Sequence, residues 1–228
     1  MCGRFSYYGK IDELIRSLDI NDVDDSAINE MENYNVAPTQ AIPVIFDSDG
    51  RRKIKLMRFG LIPFWVKDVI EMKRYRSTFN ARTEGIFTKP SYRMPIKKQR
   101  CVIPMNGFYE WQKGTKIPHY IYTGEAAQNG SSYLYAAGIF DTNSNIYEHE
   151  FYSFSICTLE ADQNFIEMHH RQAVFLEKHQ LKGWLDRDVE DPEVISTFFK
   201  PKKLNWHRVG KEVGSVRNNK SDLLQKIK

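Results

Sequence analysis

The sequence predicts a single α+β domain, built mostly of antiparallel strands in a pseudo-barrel-like sheet with helices at its periphery. Three observations lead there. Short apolar segments follow one another through turn-length connections, the mark of an antiparallel sheet. Helical periodicity is confined to the two ends of the chain. No internal repeat or Gly/Pro/Ser-rich linker divides the 228 residues, a length that buries one sizeable core. The domain is expected to span residues 1–219, followed by a polar C-terminal tail, residues 220–228.

Each element has its own signal. Ile11, Leu14, Ile15 and Leu18 recur at helical spacing and predict an amphipathic helix over residues 10–19. Residues 42–46 and 53–62 alternate as strands around the turn Asp47-Ser48-Asp49-Gly50, a hairpin. Further strands are expected at 100–105, 107–112, 118–123, 132–140 and 150–158. A turn at Gln128-Asn129-Gly130-Ser131 precedes one of them. Leu176, Leu181, Trp184 and Leu185 suggest a late helix. Asp191-Pro192 is an N-cap and first-turn pair for another, running to Phe199. The segment from Arg208 to Lys228 is polar and is expected to be partly ordered at best.

Composition narrows the function classes. Apolar residues make up 41% and charged residues 27%, ordinary for a soluble globular domain. No apolar run is long enough to span a bilayer, and the start MCGRFSYYGK is polar and basic, unlike a signal peptide. Cys2, Cys101 and Cys157 are too few and scattered for a disulfide framework, and no Cys-x-x-Cys pair suggests zinc. A reducing, intracellular setting follows, and no metal or organic cofactor is called for.

The net charge of +4 is mild but unevenly spread. Between Lys73 and Arg100 lie nine basic residues and one acid, Glu84, with Tyr75, Phe79, Phe87 and Tyr92 interleaved. Bases for phosphates and rings for base faces are what a groove for single-stranded nucleic acid needs.

Cys2 is the chemically most informative residue. A methionine ahead of a small residue is normally removed, which would leave Cys2 with a free α-amine beside its thiol. Such a 1,2-aminothiol condenses with an aldehyde to an imine and closes through sulfur to a five-membered thiazolidine. The free groups titrate near about 8 and about 8.5, so modest tuning would make both reactive near neutrality. Glu110, between Tyr109 and Trp111, is a candidate acid/base whose partial desolvation would raise its pKa. Met168-His169-His170-Arg171 adds imidazoles beside a base.

Five segments occur in order: Cys2-Gly3-Arg4-Phe5, Asn35-Val36-Ala37-Pro38-Thr39-Gln40, Gly60-Leu61-Ile62-Pro63-Phe64-Trp65, Asn80-Ala81-Arg82-Thr83-Glu84 and Gly107-Phe108-Tyr109-Glu110-Trp111. Together they resemble the SRAP family, proteins that sense abasic sites and crosslink to them in single-stranded DNA. The resemblance covers residues 1–219. It implies that Cys2 bonds to the ring-opened sugar aldehyde, that Glu110 moves protons, and that His169 holds the sugar oxygen and helps to open the ring. It implies that Asn80 orients the terminus or the sugar, that Arg4, Arg82 and Arg171 hold phosphates, and that Trp65 stacks near the lesion. Pro38 would stiffen a DNA-facing loop.

The implied partner is single-stranded DNA with abasic sites, junctions with duplex included. The implied protein is a monomer, cytoplasmic and DNA-associated, or nuclear in a eukaryote. Self-removal of Met1 and an incidental lyase activity go with the same chemistry.

This chain departs from the pattern at Gln172-Ala173, where the family has Met-Pro, at Phe59, where it has Trp, and at Arg217, where it has an Asn-like residue. These departures bear on ligand geometry more than on chemistry. Two other readings fit parts of the sequence. An N-terminal-nucleophile amidohydrolase of the glutaminase kind also begins Met-Cys-Gly, and there the thiol attacks a glutamine amide. A non-enzymatic nucleic-acid-binding module would leave Cys2 incidental.

Overall fold

A computed structural model describes residues 2–28, 32–124 and 133–227. The expected turn at 128–131 and the Met1 whose removal is expected lie outside the described residues. The chain forms one α+β domain of two sheets. One contains β1 (Phe5–Tyr7), β3 (Asn33–Val36), β8 (Gly107–Trp111), β9 (Pro118–Tyr122) and β14 (Asn205–Arg208), in the order β14-β9-β8-β1-β3. The other contains β2 (Asp22–Val23), β4 (Ala41–Ser48), β5 (Arg51–Phe59), β6 (Asn80–Arg82), β7 (Arg100–Met105), β10 (Leu134–Asn143), β11 (Phe151–Glu160), β12 (Arg171–Ala173) and β13 (Phe175–Leu176).

The second sheet closes on itself. Antiparallel pairs run β11-β10-β7-β4-β5, and a short parallel contact, Ser153 to Arg58 and Phe154 to Phe59, returns β5 to β11. Closure removes two exposed edges and encloses an apolar core. β7 at its centre is buried on both faces, which explains why 100–105 reads as a continuous apolar run rather than an alternation.

Local chemistry sets the joints. The β4–β5 hairpin turns at Asp49 and Gly50, both with positive φ (55° and 70°), the pairing that a two-residue turn needs to match strand twist. The helix Ile11–Leu18 buries Leu14 and Leu18 and ends at Asp19 in the left-handed region. At Gly107 a side chain would meet the Tyr120 ring at 2.4 Å, so glycine lets β9 cross β8 closely. Arg100 is buried, and among the described residues it forms no ion pair with a carboxylate. Its guanidinium donates instead to the carbonyls of Trp184, Ile96, Lys97 and Asp186 and lies 5.7 Å from the Trp184 ring. One side chain thereby ties the ends of two short helices to β7.

Three expectations change. Leu176 belongs to β13, paired with Tyr135, and the late helix is only Leu181–Leu185. The helix capped by Asp191 ends at Ser196, not Phe199, although Asp191 does accept from the Glu193 N–H. The segment after Arg208 is better ordered than its polarity suggested. Val213 and Leu223 are buried with Tyr109, Tyr120 and Val209 in a second, smaller core behind β8 and β9. Few apolar residues suffice there because tyrosines from the sheet supply most of the surface.

Candidate active site

The site grows from the pairing of β1 with β8. Phe5 lies opposite Phe108, Ser6 opposite Gly107, and the Tyr109 N–H donates to the Arg4 carbonyl at 2.8 Å. That register carries the start of the chain toward Glu110. Side chains alternate along β8, so Tyr109 faces the smaller core while Phe108 and Glu110 face the other way.

Cys2 is 1% exposed. Burial and the nearby charge of Glu110 push its thiol from 9.0 up to about 12. The direction is opposite to the tuning expected from the sequence, so the thiol is held protonated at neutral pH. Glu110 is itself buried, which raises its carboxyl above the usual range. The Trp111 N–H donates to its Oε1 at 3.4 Å.

The histidine loop docks against the same strand. Phe165 packs edge-on against Phe108, the His169 N–H donates to the Phe165 carbonyl at 3.0 Å, and the Lys113 N–H donates to the Met168 carbonyl at 3.1 Å. His169 is half-buried and His170 exposed, with their rings stacked 4.3 Å apart. Desolvation drives His169 from 6.5 down to about 4, so its imidazole is neutral at pH 7. His169 Nδ1 sits 3.0 Å from the Arg171 N–H and 3.1 Å from the Arg171 carbonyl. The Gln172 departure has a visible role. Its buried amide accepts from the Asp162 N–H and donates to the Lys202 carbonyl, fastening the loop from behind.

β6 brings the remaining polar groups. It pairs in parallel with β11, Asn80 opposite Ile156 and Arg82 opposite Thr158, while β12 pairs with the same end of β11. Ring contacts Phe5–Phe59 (5.4 Å) and Phe59–Phe79 (5.8 Å) bind the start of β6 to β1. Asn80 is buried, and among the described residues neither its amide nitrogen nor its oxygen has a hydrogen-bond partner. A buried amide left wholly unpaired is costly, so a ligand or a water is needed to complete the bonding of Asn80.

The three arginines differ. Arg82 is exposed. Arg4 donates to Asn35 Oδ1 and to the Val213 carbonyl and lies 5.8 Å from the Trp111 ring. Arg171 is 7% exposed and forms a two-pronged pair with Glu84, each N···O distance 3.0 Å. The guanidinium groups of Arg4 and Arg171 are therefore engaged within the protein.

Trp65 is half-buried and donates from Nε1 to the Tyr75 hydroxyl at 3.2 Å, edge-on to Phe64, which is 56% exposed. Asn143 holds this loop by donating to the carbonyls of Pro63, Phe64 and Val66. Pro38 is half-buried in a turn fixed by the Thr39 N–H on the Phe59 carbonyl and the Phe59 N–H on the Gln40 carbonyl. Phe59, in place of Trp, is fully buried and stacked on Phe154. An indole N–H there would have to find a partner inside the core.

Sequence reasoning passed over Phe64 and Glu84. Phe64 had no signal beyond adjacency to Trp65. Glu84 had one, as the single acid among nine bases.

A closed ring of strands with small peripheral helices defines a single-domain α+β protein, in which a buried thiol beside a raised carboxyl, with a neutral imidazole docked on the same strand, forms the candidate site. Comparison with known proteins agrees. The model of the SOS response associated peptidase (SRAP) family matches residues 1–216, and the chain belongs to that family. It is 33% identical to the abasic site processing protein YoaM of Bacillus subtilis, over 98% of this chain and 97% of that protein. It is 30% identical to the abasic site processing protein HMCES of Gallus gallus, over 86% of this chain and 66% of that one. A crystal structure of a Bacteroides thetaiotaomicron protein superposes with a TM-score of 0.83 at 26% identity, covering 99% of this chain and all of that one. Among the described residues, no helix is long and apolar enough to cross a membrane.

Proposed function

We propose that this protein processes abasic sites in single-stranded DNA by forming a covalent thiazolidine link between Cys2 and the ring-opened sugar. The carrying observation is Cys2 buried beside Glu110, whose charge the thiol feels. Relatives named abasic site processing proteins across nearly the whole chain support the same reading.

Once Met1 is removed, by the protein itself in this reading, the Cys2 amine attacks the aldehyde carbon at C1′ and gives a carbinolamine. Glu110, whose raised pKa favours the acid form, donates a proton to the departing hydroxyl. Water leaves and an imine forms. The thiol then adds to the imine carbon, its proton passing to the Glu110 carboxylate and on to nitrogen. One aldehyde and one aminothiol thus give one thiazolidine and one water, with no cofactor. Burial of Cys2 favours the S–H form, so the amine attacks first and sulfur closes the ring on the imine. Diversion of the imine to β-elimination would give incidental lyase activity.

His169, neutral at pH 7, would serve as a hydrogen-bond donor to the sugar oxygen, and Asn80 would complete its unpaired amide on the sugar or the terminus. Arg82, exposed beside Asn80, is the base best placed for phosphate. Arg4 and Arg171, whose guanidinium groups have protein partners, add positive potential and geometry. Trp65 with Phe64 would stack bases at the rim, junctions with duplex included, and the Pro38 turn would hold the opposite edge.

The test is a denaturing gel. Single-stranded DNA carrying one abasic site should give a heat-stable shift with wild type and none with Cys2→Ala. Cys2→Ser should give a shift only after borohydride reduction. A full, stable shift with Cys2→Ala would remove this reading.

A further inference from the structure

We infer that Glu84 is a positioning residue for the sugar-opening imidazole, acting through Arg171; the inference rests on the abasic-site reading above. The Arg171 guanidinium lies across the end of β11. Its NH2 nitrogen donates to the Thr158 carbonyl at 2.6 Å, and both terminal nitrogens meet the Glu84 carboxylate at 3.0 Å. Arg171 opens β12, and Glu84 lies in the turn that follows β6. Both strands pair with Thr158, Arg82 from one side and Ala173 from the other. One ion pair therefore bridges the strand that carries Asn80 to the strand that begins two residues after His169.

The same clamp fixes the imidazole. With the side chain held, the Arg171 peptide stays in place, and its N–H points at His169 Nδ1 at 3.0 Å. The Arg171 carbonyl is also near, at 3.1 Å, so two tautomers compete for that nitrogen. A backbone N–H can only donate, and leaving it orphaned is the rarer fault in proteins than leaving a carbonyl with a spare lone pair. Nδ1 is therefore the acceptor, and the neutral ring carries its proton on Nε2. That is the tautomer that donates to a sugar oxygen.

The electrostatics suit a permanent clamp. Burial raises the Glu84 carboxyl, but the Arg171 hydrogen bonds and the charges of Arg171 and Arg82 outweigh it and hold the group below its ordinary range. It stays ionised wherever the protein works. A half-exposed carboxylate beside a phosphate-binding face also opposes DNA. Its removal should therefore slow catalysis without weakening binding, which a purely structural residue would not produce.

The experiment compares wild type, Glu84→Gln and Glu84→Ala in three measurements, with thermal melts confirming folding. These are the crosslinking rate on abasic single strands, the affinity for intact single strands, and the imidazole ¹⁵N spectrum. We expect crosslinking about 10- to 100-fold slower, affinity unchanged or higher, and a wild-type Nε2–H signal for His169 that becomes a tautomer mixture in Glu84→Ala. A wild-type Nδ1–H tautomer would overturn the inference, as would an unchanged rate in both variants. Parallel losses of rate, affinity and melting temperature would also overturn it, showing a merely structural pair. Should wild type fail to crosslink at all, the abasic-site reading falls instead, while the spectrum still decides whether Glu84 sets the tautomer.

Discussion

Cys2, Glu110 and His169 are each shifted by burial toward the neutral form, and the consequences can be measured residue by residue. Glu110→Gln removes a proton carrier without changing shape, so crosslinking should slow by about 10²–10⁴-fold while affinity for intact single strands stays near wild type. His169→Ala should be damaging and His170→Ala mild, because only His169 is half-buried with Nδ1 against the Arg171 peptide. The reverse ranking would place the functional ring one residue along.

The His169 shift also carries a stability signature. In the unfolded chain this imidazole takes a proton near pH 6.5, whereas in the folded protein it resists until about pH 4. Between these values the unfolded state binds more protons, so stability is lost as pH falls from 6.5 toward 4 and is unaffected above 6.5. Melting temperatures of wild type and His169→Gln should therefore diverge in that window, the wild type losing more. Parallel curves would contradict the shift.

At the scale of elements, Arg100 and Gln172 hold non-adjacent segments together. Arg100→Ala would strip several carbonyls of their donor at once, and each buried group left unpaired costs about 1–3 kcal/mol. Urea unfolding should show a loss of at least about 3 kcal/mol, and a loss under about 1 would mean that water replaces the guanidinium.

The strong elements were readable because local signals and tertiary context agree. The β4–β5 hairpin has its turn pair Asp49-Gly50, and the first helix has its apolar stripe. Elements of two to four residues, such as β6, β12 and β13, carry no periodicity, since pairing with β10 and β11 creates them. Leu176 shows the failure in miniature, its spacing to Leu181 being met by a strand and a following turn. The candidate site was legible only as residue types: a second-position thiol, an acid between aromatics, paired imidazoles. Which arginines are already occupied was not legible, because Asn35, Val213 and Glu84 reach Arg4 and Arg171 only after folding.

For the molecule as a whole, DNA binding is expected to be electrostatic and the chemistry to sit at the terminus. Arg82 is exposed, so Arg82→Ala should weaken binding to all single strands alike and flatten the log–log salt dependence by about 0.7, the increment of one phosphate contact. Trp65→Ala should cost about 1–3 kcal/mol in affinity with the slope unchanged. Sequence-dependent losses at Arg82 would contradict a phosphate role. The central claim, that a free Cys2 aminothiol makes the bond, is tested most directly at the terminus itself. Wild type and a protein with an unremovable extension ahead of Cys2 would be incubated with single-stranded DNA bearing one abasic site and run on a denaturing gel. A heat-stable shift from wild type alone is the expected result, because the extension locks the amine in a peptide bond. A full shift from the blocked protein would contradict the account.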